Sequence, residues 1–203
     1  MDKIAIDIVI LPPDDIMDVC VQLSNKFKEP NASLVLNKTD CLPHLSLFMG
    51  AVEETKIQNL GEQLEKIAKN FNPLNLTIKT LEMRQQPDGR ETYFLAIKNS
   101  PELQNLHEKI VNECKNDYQA QNSTKDMFFV DKGENFSEAT FFWTNNYCSR
   151  SSLKNFWPHI TLKAAKEVIY NNLPLEFAAY RLAICHLGDR CTCRKILWET
   201  TLK

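Results

Sequence analysis

The sequence predicts a mixed α+β protein with mostly antiparallel strands, and three observations carry that expectation. Runs rich in Ile, Val and Leu alternate with segments whose apolar residues recur at helical spacing. Several strands come as pairs around Gly-containing turns, the mark of hairpins. One phrase, Pro-His-apolar-Ser/Thr-Leu, occurs twice, at 43–47 and 158–162, which suggests two related halves.

Each element follows from its residues. KIAIDIVIL (3–11) is Ile/Val-rich with partial alternation and reads as a strand. PPDDIMDVCVQLSNKF opens on prolines and acids and continues with helical spacing, a helix start. Residues 29–43 read as a loop with a short strand at Leu34–Leu36, and 44–52 as a strand. Glu54 to Asn70 carries Ile57, Leu60, Leu64 and Ile67 on one helical face. The stretches 74–85 and 90–99 flank Pro-Asp-Gly at 87–89 and form a hairpin. A third helix runs from Pro101 to about Gln119, with Leu103, Leu106, Ile110 and Val111 along one face.

Residues 120–155 lack a clear period but hold Phe128, Phe129, Phe136, Phe141, Phe142, Trp143 and Tyr147. So many aromatics argue against a disordered linker. The expectation is an ordered functional loop region with one short helix or strand. A strand at 159–165 follows. The stretches 175–189 and 191–203 then close the chain as a hairpin around Gly188-Asp189-Arg190.

Composition narrows the function. The chain of 203 residues is 43% apolar and 25% charged, enough for one two-lobed domain spanning 1–203. Lys and Arg number 24 against 26 Asp and Glu, a net charge of −2, so no overall positive field draws in long nucleic acid. A small phosphate-bearing ligand or an RNA end stays open, since a local site needs no global charge. The seven cysteines are odd in number and irregularly spaced. The N-terminus lacks the basic region of a signal peptide, and no apolar run reaches the ~20 residues of a membrane span. We read a cytoplasmic protein with reduced thiols and no membrane partner.

The repeat carries the chemistry. On a strand, positions i and i+2 share a face. His44 with Ser46, and His159 with Thr161, therefore face one way while Leu45, Leu47, Ile160 and Leu162 face the core. If the two strands meet about a pseudo-two-fold axis, two imidazoles and two hydroxyls share one cleft. Imidazoles titrate near neutrality and can divide general-acid and general-base work. Two hydroxyls can hold the nonbridging oxygens of a phosphate. One imidazole would deprotonate water or a ribose 2′-hydroxyl, and the other would protonate the leaving oxygen, with no metal required. A single histidine on a strand is ordinarily structural. Two of the chain's four histidines in matched frames outweigh that reading.

PHLSLF and PHITLK resemble the paired His-x-Ser/Thr-apolar motifs of the two-histidine (2H) phosphoesterase superfamily, in its bacterial 2′-5′ RNA ligase-like branch. The resemblance implies a bilobal fold, with two antiparallel sheets facing across a central cleft and helices outside. It implies metal-independent action on 2′,3′-cyclic phosphates or 2′-5′ linkages of RNA ends or small nucleotides, with reverse ligation as a further possibility. Carried over by motif position, His44 and His159 are catalytic, and Ser46 and Thr161 bind phosphate. No cofactor is implied. A monomer suffices, because a bilobal cleft can be complete in one chain. The alternative is a nucleotide-binding or sensor module on the same fold that has lost its chemistry.

Other residues divide between site and scaffold. Phe48 and Lys163, each at +4 from its motif histidine, are candidate substrate contacts, a base platform and a phosphate partner. Trp143 and Tyr147 are further candidate substrate contacts and, with Arg150, candidates for a lid over the cleft. Cys185, His186, Cys191 and Cys193 cluster, but their spacing does not match a zinc motif, and buried thiols are the plainer reading. His107 reads as a helix-surface or cap-adjacent residue, and Arg84 and Arg90 as solvated charges beside a turn.

Overall fold

The computed structural model describes residues 3–28, 34–86, 89–131, 136–163 and 168–203. The elements in chain order are β1 (Lys3–Leu11), α1 (Asp14–Phe27), β2 (Leu45–Glu53), α2 (Ile57–Ala68), β3 (Leu74–Gln85), β4 (Glu91–Ile97) and α3 (Pro101–Cys114). They continue with α4 (Glu138–Arg150), β5 (His159–Leu162), β6 (Leu175–Ala179), β7 (Arg181–Leu187) and β8 (Cys193–Thr201). The expected turn residues Pro87 and Asp88, and the end of the expected strand at 164–165, lie outside the described residues. No helix among the described residues is long and apolar enough to cross a membrane.

Local chemistry accounts for the helix starts. Ser100 caps α3 by accepting from the Leu103 N–H at 3.2 Å, with Pro101 in the first turn, where its missing N–H costs nothing. Ser137 caps α4 by accepting from Ala139. Asp14 and Asp15 lie in the first turn of α1, where the helix dipole favours negative charge.

The eight strands run in the order β6-β3-β4-β5-β2-β1-β7-β8, and every pairing is antiparallel. Read outward from the middle, β2-β1-β7-β8 mirrors β5-β4-β3-β6. The two halves meet at one pair of residues, Leu45 opposite Ile160, which are the apolar residues directly after the two motif histidines. The pseudo-two-fold therefore passes through the repeat itself.

The outer ends of this order also come together. β6 ends at Ala179 and β7 begins at Arg181, so Tyr180 alone joins strands that pair near opposite ends. The sheet must curl for this to happen. Leu202 N–H donates to the Tyr180 carbonyl and Lys203 N–H to that of Phe71, each at 2.8 Å, tying the last strand across the join. The result is one sheet curled so that its two halves, joined at the β2–β5 pair, face one another across a cleft.

Three sequence expectations change. The stretch 175–189 splits into β6 and β7, because the chain stays extended while exchanging β3 of one lobe for β1 and β8 of the other. Leu34–Leu36 forms no strand. Its backbone is held by a side chain instead, Leu36 N–H donating to Ser24 Oγ at 3.1 Å. Within 120–155 the helix α4 is long, 13 residues. It buries Ala139, Thr140, Thr144 and Tyr147, so its inner face is written in small and polar residues rather than aliphatics.

Candidate active site

Both motif histidines are held in the same way. His44 Nδ1 lies 2.7 Å from the Leu42 carbonyl, and His159 Nδ1 lies 2.8 Å from the Trp157 carbonyl, each two residues back. A carbonyl only accepts, so Nδ1 carries the hydrogen in both rings and Nε2 is the lone-pair nitrogen of the neutral form. The proline between carbonyl and histidine, Pro43 or Pro158, fixes φ and so helps set this turn. Both rings line a cleft of about 950 Å³, together with Ser46 and Thr161.

Burial governs their protonation. It pushes His44 and His159 down to about 4, against the carbonyl hydrogen bonds that favour the charged form. Lys163 lowers both further, and Arg84 lowers His159. Both imidazoles are neutral in the protein alone at pH 7.

His159 is sandwiched in an aromatic stack. Its ring stacks on Trp157 at 4.3 Å with the planes 28° apart and lies edge-on to Phe94 at 4.8 Å, and the Arg84 guanidinium lies over the Trp157 ring at 3.2 Å. Arg84 and Arg90, expected as solvated charges, both line the cleft. Arg84 is also paired with Glu82 at 2.9 Å. With Arg150, Lys163 and Arg190 they make the wall basic, opposed there by Glu91, in a chain of net charge −2.

Trp143, Tyr147 and Arg150 lie on one side of α4 and all line the cleft. Tyr147 O–H donates to the Ser46 carbonyl at 3.3 Å, and Trp143 Nε1–H donates to Gln86 at 3.1 Å, so α4 spans from one lobe to the other. Asp189, in the last hairpin, accepts from Ser137 N–H at 2.7 Å and Thr140 Oγ1 at 2.8 Å, which fastens the start of α4. Lys163 lines the cleft and its Nζ donates to the Arg190 carbonyl at 2.8 Å.

Phe48 is placed differently from its expectation. It is fully buried and packs edge-on to Tyr147 at 6.2 Å. The register explains this. Ile8 pairs with Phe48 and Val9 with Ser46, so Leu47 is an extra residue on β2. That bulge resets the alternation, and Met49 takes the cleft-lining position instead. His107 is also corrected: it is fully buried. Its Nδ1 donates to the Leu47 carbonyl at 2.9 Å, its Nε2 accepts from Leu153 N–H at 2.8 Å, and its ring stacks on Phe156 at 3.8 Å.

Sequence reasoning missed Asp7, although a lone acid inside KIAIDIVIL was a readable signal. Its carboxyl is fully buried. Oδ2 accepts from Ser46 Oγ at 2.6 Å and lies 3.7 Å from His44 Nε2. Oδ1 finds no hydrogen-bond partner among the described residues. Burial raises its pKa well above the usual carboxylate range, against the Ser46 hydrogen bond.

Residues 36–169 match the family model of the 2′-5′ RNA ligase superfamily, a stretch that contains both motifs. The chain belongs to that superfamily of two-histidine phosphoesterases. Solved structures share the fold at low identity. TT0787 of Thermus thermophilus aligns with a TM-score of 0.59 at 16% identity over 98% of each chain. E. coli LigT complexed with 3′-AMP aligns at 0.52 and 16% identity, over 100% of this chain and 99% of LigT. Its complex with phosphate gives 0.51 and the same identity over the same shares. Among curated proteins no relative matches.

Proposed function

We propose that the protein is a metal-independent phosphodiesterase that acts on 2′,3′-cyclic phosphates or 2′-5′ phosphodiester bonds of RNA ends or small nucleotides. The observation that carries this reading is the matched pair of Nδ1–carbonyl bonds, which leaves Nε2 of both His44 and His159 as the atom available to a substrate. The superfamily and the basic cleft wall support it.

In the proposed reaction the phosphate sits between Ser46 and Thr161. One neutral imidazole takes a proton from water, or from the ribose 2′-hydroxyl in the reverse sense. The other, as imidazolium, protonates the leaving oxygen as its bond to phosphorus breaks. The two exchange roles when the direction reverses. Since both rings are neutral in the protein alone, the substrate's negative charge is what stabilises the imidazolium. Ser46 reaches the phosphate by turning its hydroxyl away from Asp7.

The test is hydrolysis of 2′,3′-cyclic nucleotides and 2′-5′-linked dinucleotides in EDTA, by wild type, His44→Ala and His159→Ala. Turnover that survives chelation and falls by about 10²–10⁴ in either variant is expected. Turnover that requires added metal, or survives both substitutions, overturns the reading. Nucleotide binding without turnover in the wild type would make this fold a binding module.

A further inference from the structure

We infer that Asp7, His44 and Cys193 form a binding site for a thiophilic divalent cation of the Zn²⁺ class, and that its occupancy blocks the active site. Asp7 and Cys193 are fully buried, and neither is used by the proposed chemistry.

The first argument is a mismatch of hydrogen-bonding groups. His44 Nδ1–H is committed to the Leu42 carbonyl, so the neutral ring presents a lone pair at Nε2. Facing it at 3.7 Å is Asp7 Oδ2, also an acceptor, while Asp7 Oδ1 has no partner among the described residues. Burial favours the protonated carboxyl in the metal-free protein, yet at 3.7 Å its hydrogen does not close a bond to Nε2, and Oδ1 stays unpartnered. A cation that displaces that proton satisfies both groups at once.

The second argument is the donor set. One oxygen of Asp7, one nitrogen of His44 and Sγ of Cys193 all lie within 4.8 Å of one another. Carboxylate, imidazole and thiolate together suit zinc and its neighbours rather than calcium or magnesium. Zinc bonds of about 2.0–2.3 Å put tetrahedral ligands about 3.3–3.8 Å apart, so no pair has to close by more than about 1.5 Å. Charge also balances. One carboxylate and one thiolate neutralise a divalent ion, which is what a buried site demands. The Asp7 carboxyl proton and the Cys193 thiol proton both leave to solvent as the metal takes the oxygen and the sulfur.

The third argument is the outer support. The Leu42 carbonyl orients the imidazole, as second-shell acceptors do for metal-bound histidines. His44 and Ser46 line the cleft while Asp7 and Cys193 lie behind them, so the ion arrives from the cleft side and its fourth position faces Ser46 or water.

A metal on Nε2 takes the lone pair that the phosphodiesterase reading needs. The inhibition therefore rests on that reading, whereas the binding does not. The experiment uses the whole protein stripped with EDTA and titrated with Co²⁺ and Zn²⁺. Expected are a thiolate-to-cobalt charge-transfer band, lost in Cys193→Ser, and X-ray absorption of the zinc form showing one sulfur at about 2.3 Å with nitrogen and oxygen neighbours. Cys193→Ser retains turnover in EDTA and needs at least tenfold more Zn²⁺ for half-inhibition. Absence of the band and of the sulfur shell in folded wild type overturns the site. So does a band or a Zn²⁺ inhibition unchanged in Cys193→Ser. If no substrate is ever turned over, the cobalt and absorption measurements still decide the site.

Discussion

The shared posture of His44 and His159 has a consequence for pH. General acid–base catalysis by the pair needs one ring neutral and one protonated. Burial holds both near 4 in the protein alone, so the singly protonated form falls about tenfold for each pH unit above 5. We expect kcat/KM, which reports the protein without substrate, to rise as pH is lowered from 8 towards 5. The kcat profile, which reports the complex, should reach its optimum at higher pH, because bound phosphate stabilises the imidazolium. A kcat/KM profile peaking at pH 7 would show that burial does not set these values. At this scale the two His-x-Ser/Thr pairs were legible because strand alternation is local. Phe48 was misplaced because one bulge residue, Leu47, breaks that alternation. Asp7 was visible as an acid among isoleucines, but its link to Ser46 spans 39 residues and appears only on folding.

Two single residues hold elements in register. Gly50 lies in β2 where the chain leaving α3 crosses it, and Ala51 N–H donates to the Tyr118 carbonyl at 2.8 Å. A Cβ at Gly50 would collide with that same carbonyl oxygen, which is backbone and cannot swing away. Gly50→Ala should cost about 1–3 kcal/mol or more, read from urea unfolding. His107 ties α3 to β2 and to the segment that leads into β5. His107→Ala strands the Leu47 carbonyl and the Leu153 N–H, each worth about 1–3 kcal/mol when buried unpaired. It should also lower turnover, because that segment carries Trp157 and His159. Unchanged stability would mean that water replaces the ring. Element positions were readable where aliphatics kept their period, as in α2 and α3. The helix α4 was not, since it packs through Thr140, Thr144 and Tyr147. The burial of His107 was hidden because its partners come from other elements.

For the whole molecule, acid is the weak flank. His44, His107 and His159 are each held near 4 by burial, against about 6.5 when unfolded. A group whose folded pKa is depressed contributes fully above its unfolded value, and that contribution is lost as pH falls towards the folded one. Each should therefore cost about 3 kcal/mol between pH 6.5 and 4, together comparable to the stability of a typical domain. Asp7, raised by burial, acts in the opposite sense over the same range but is one group against three. Denaturation midpoints should fall steeply below pH 6, and a flat profile to pH 4 would contradict this. The sequence by itself determined the strands and helices up to α3, the duplication and the two histidine–hydroxyl pairs, because these are written in periods of two and 3.6 and in one repeated phrase. The tertiary structure alone decided how the halves meet at Leu45 and Ile160, and that the chain changes lobes at Tyr180. It also decided that Asp7 and Cys193 lie beneath His44 and that five basic residues converge on one cleft. Those facts are contacts between residues far apart in the chain, and no local period encodes which distant surfaces a curling sheet brings together.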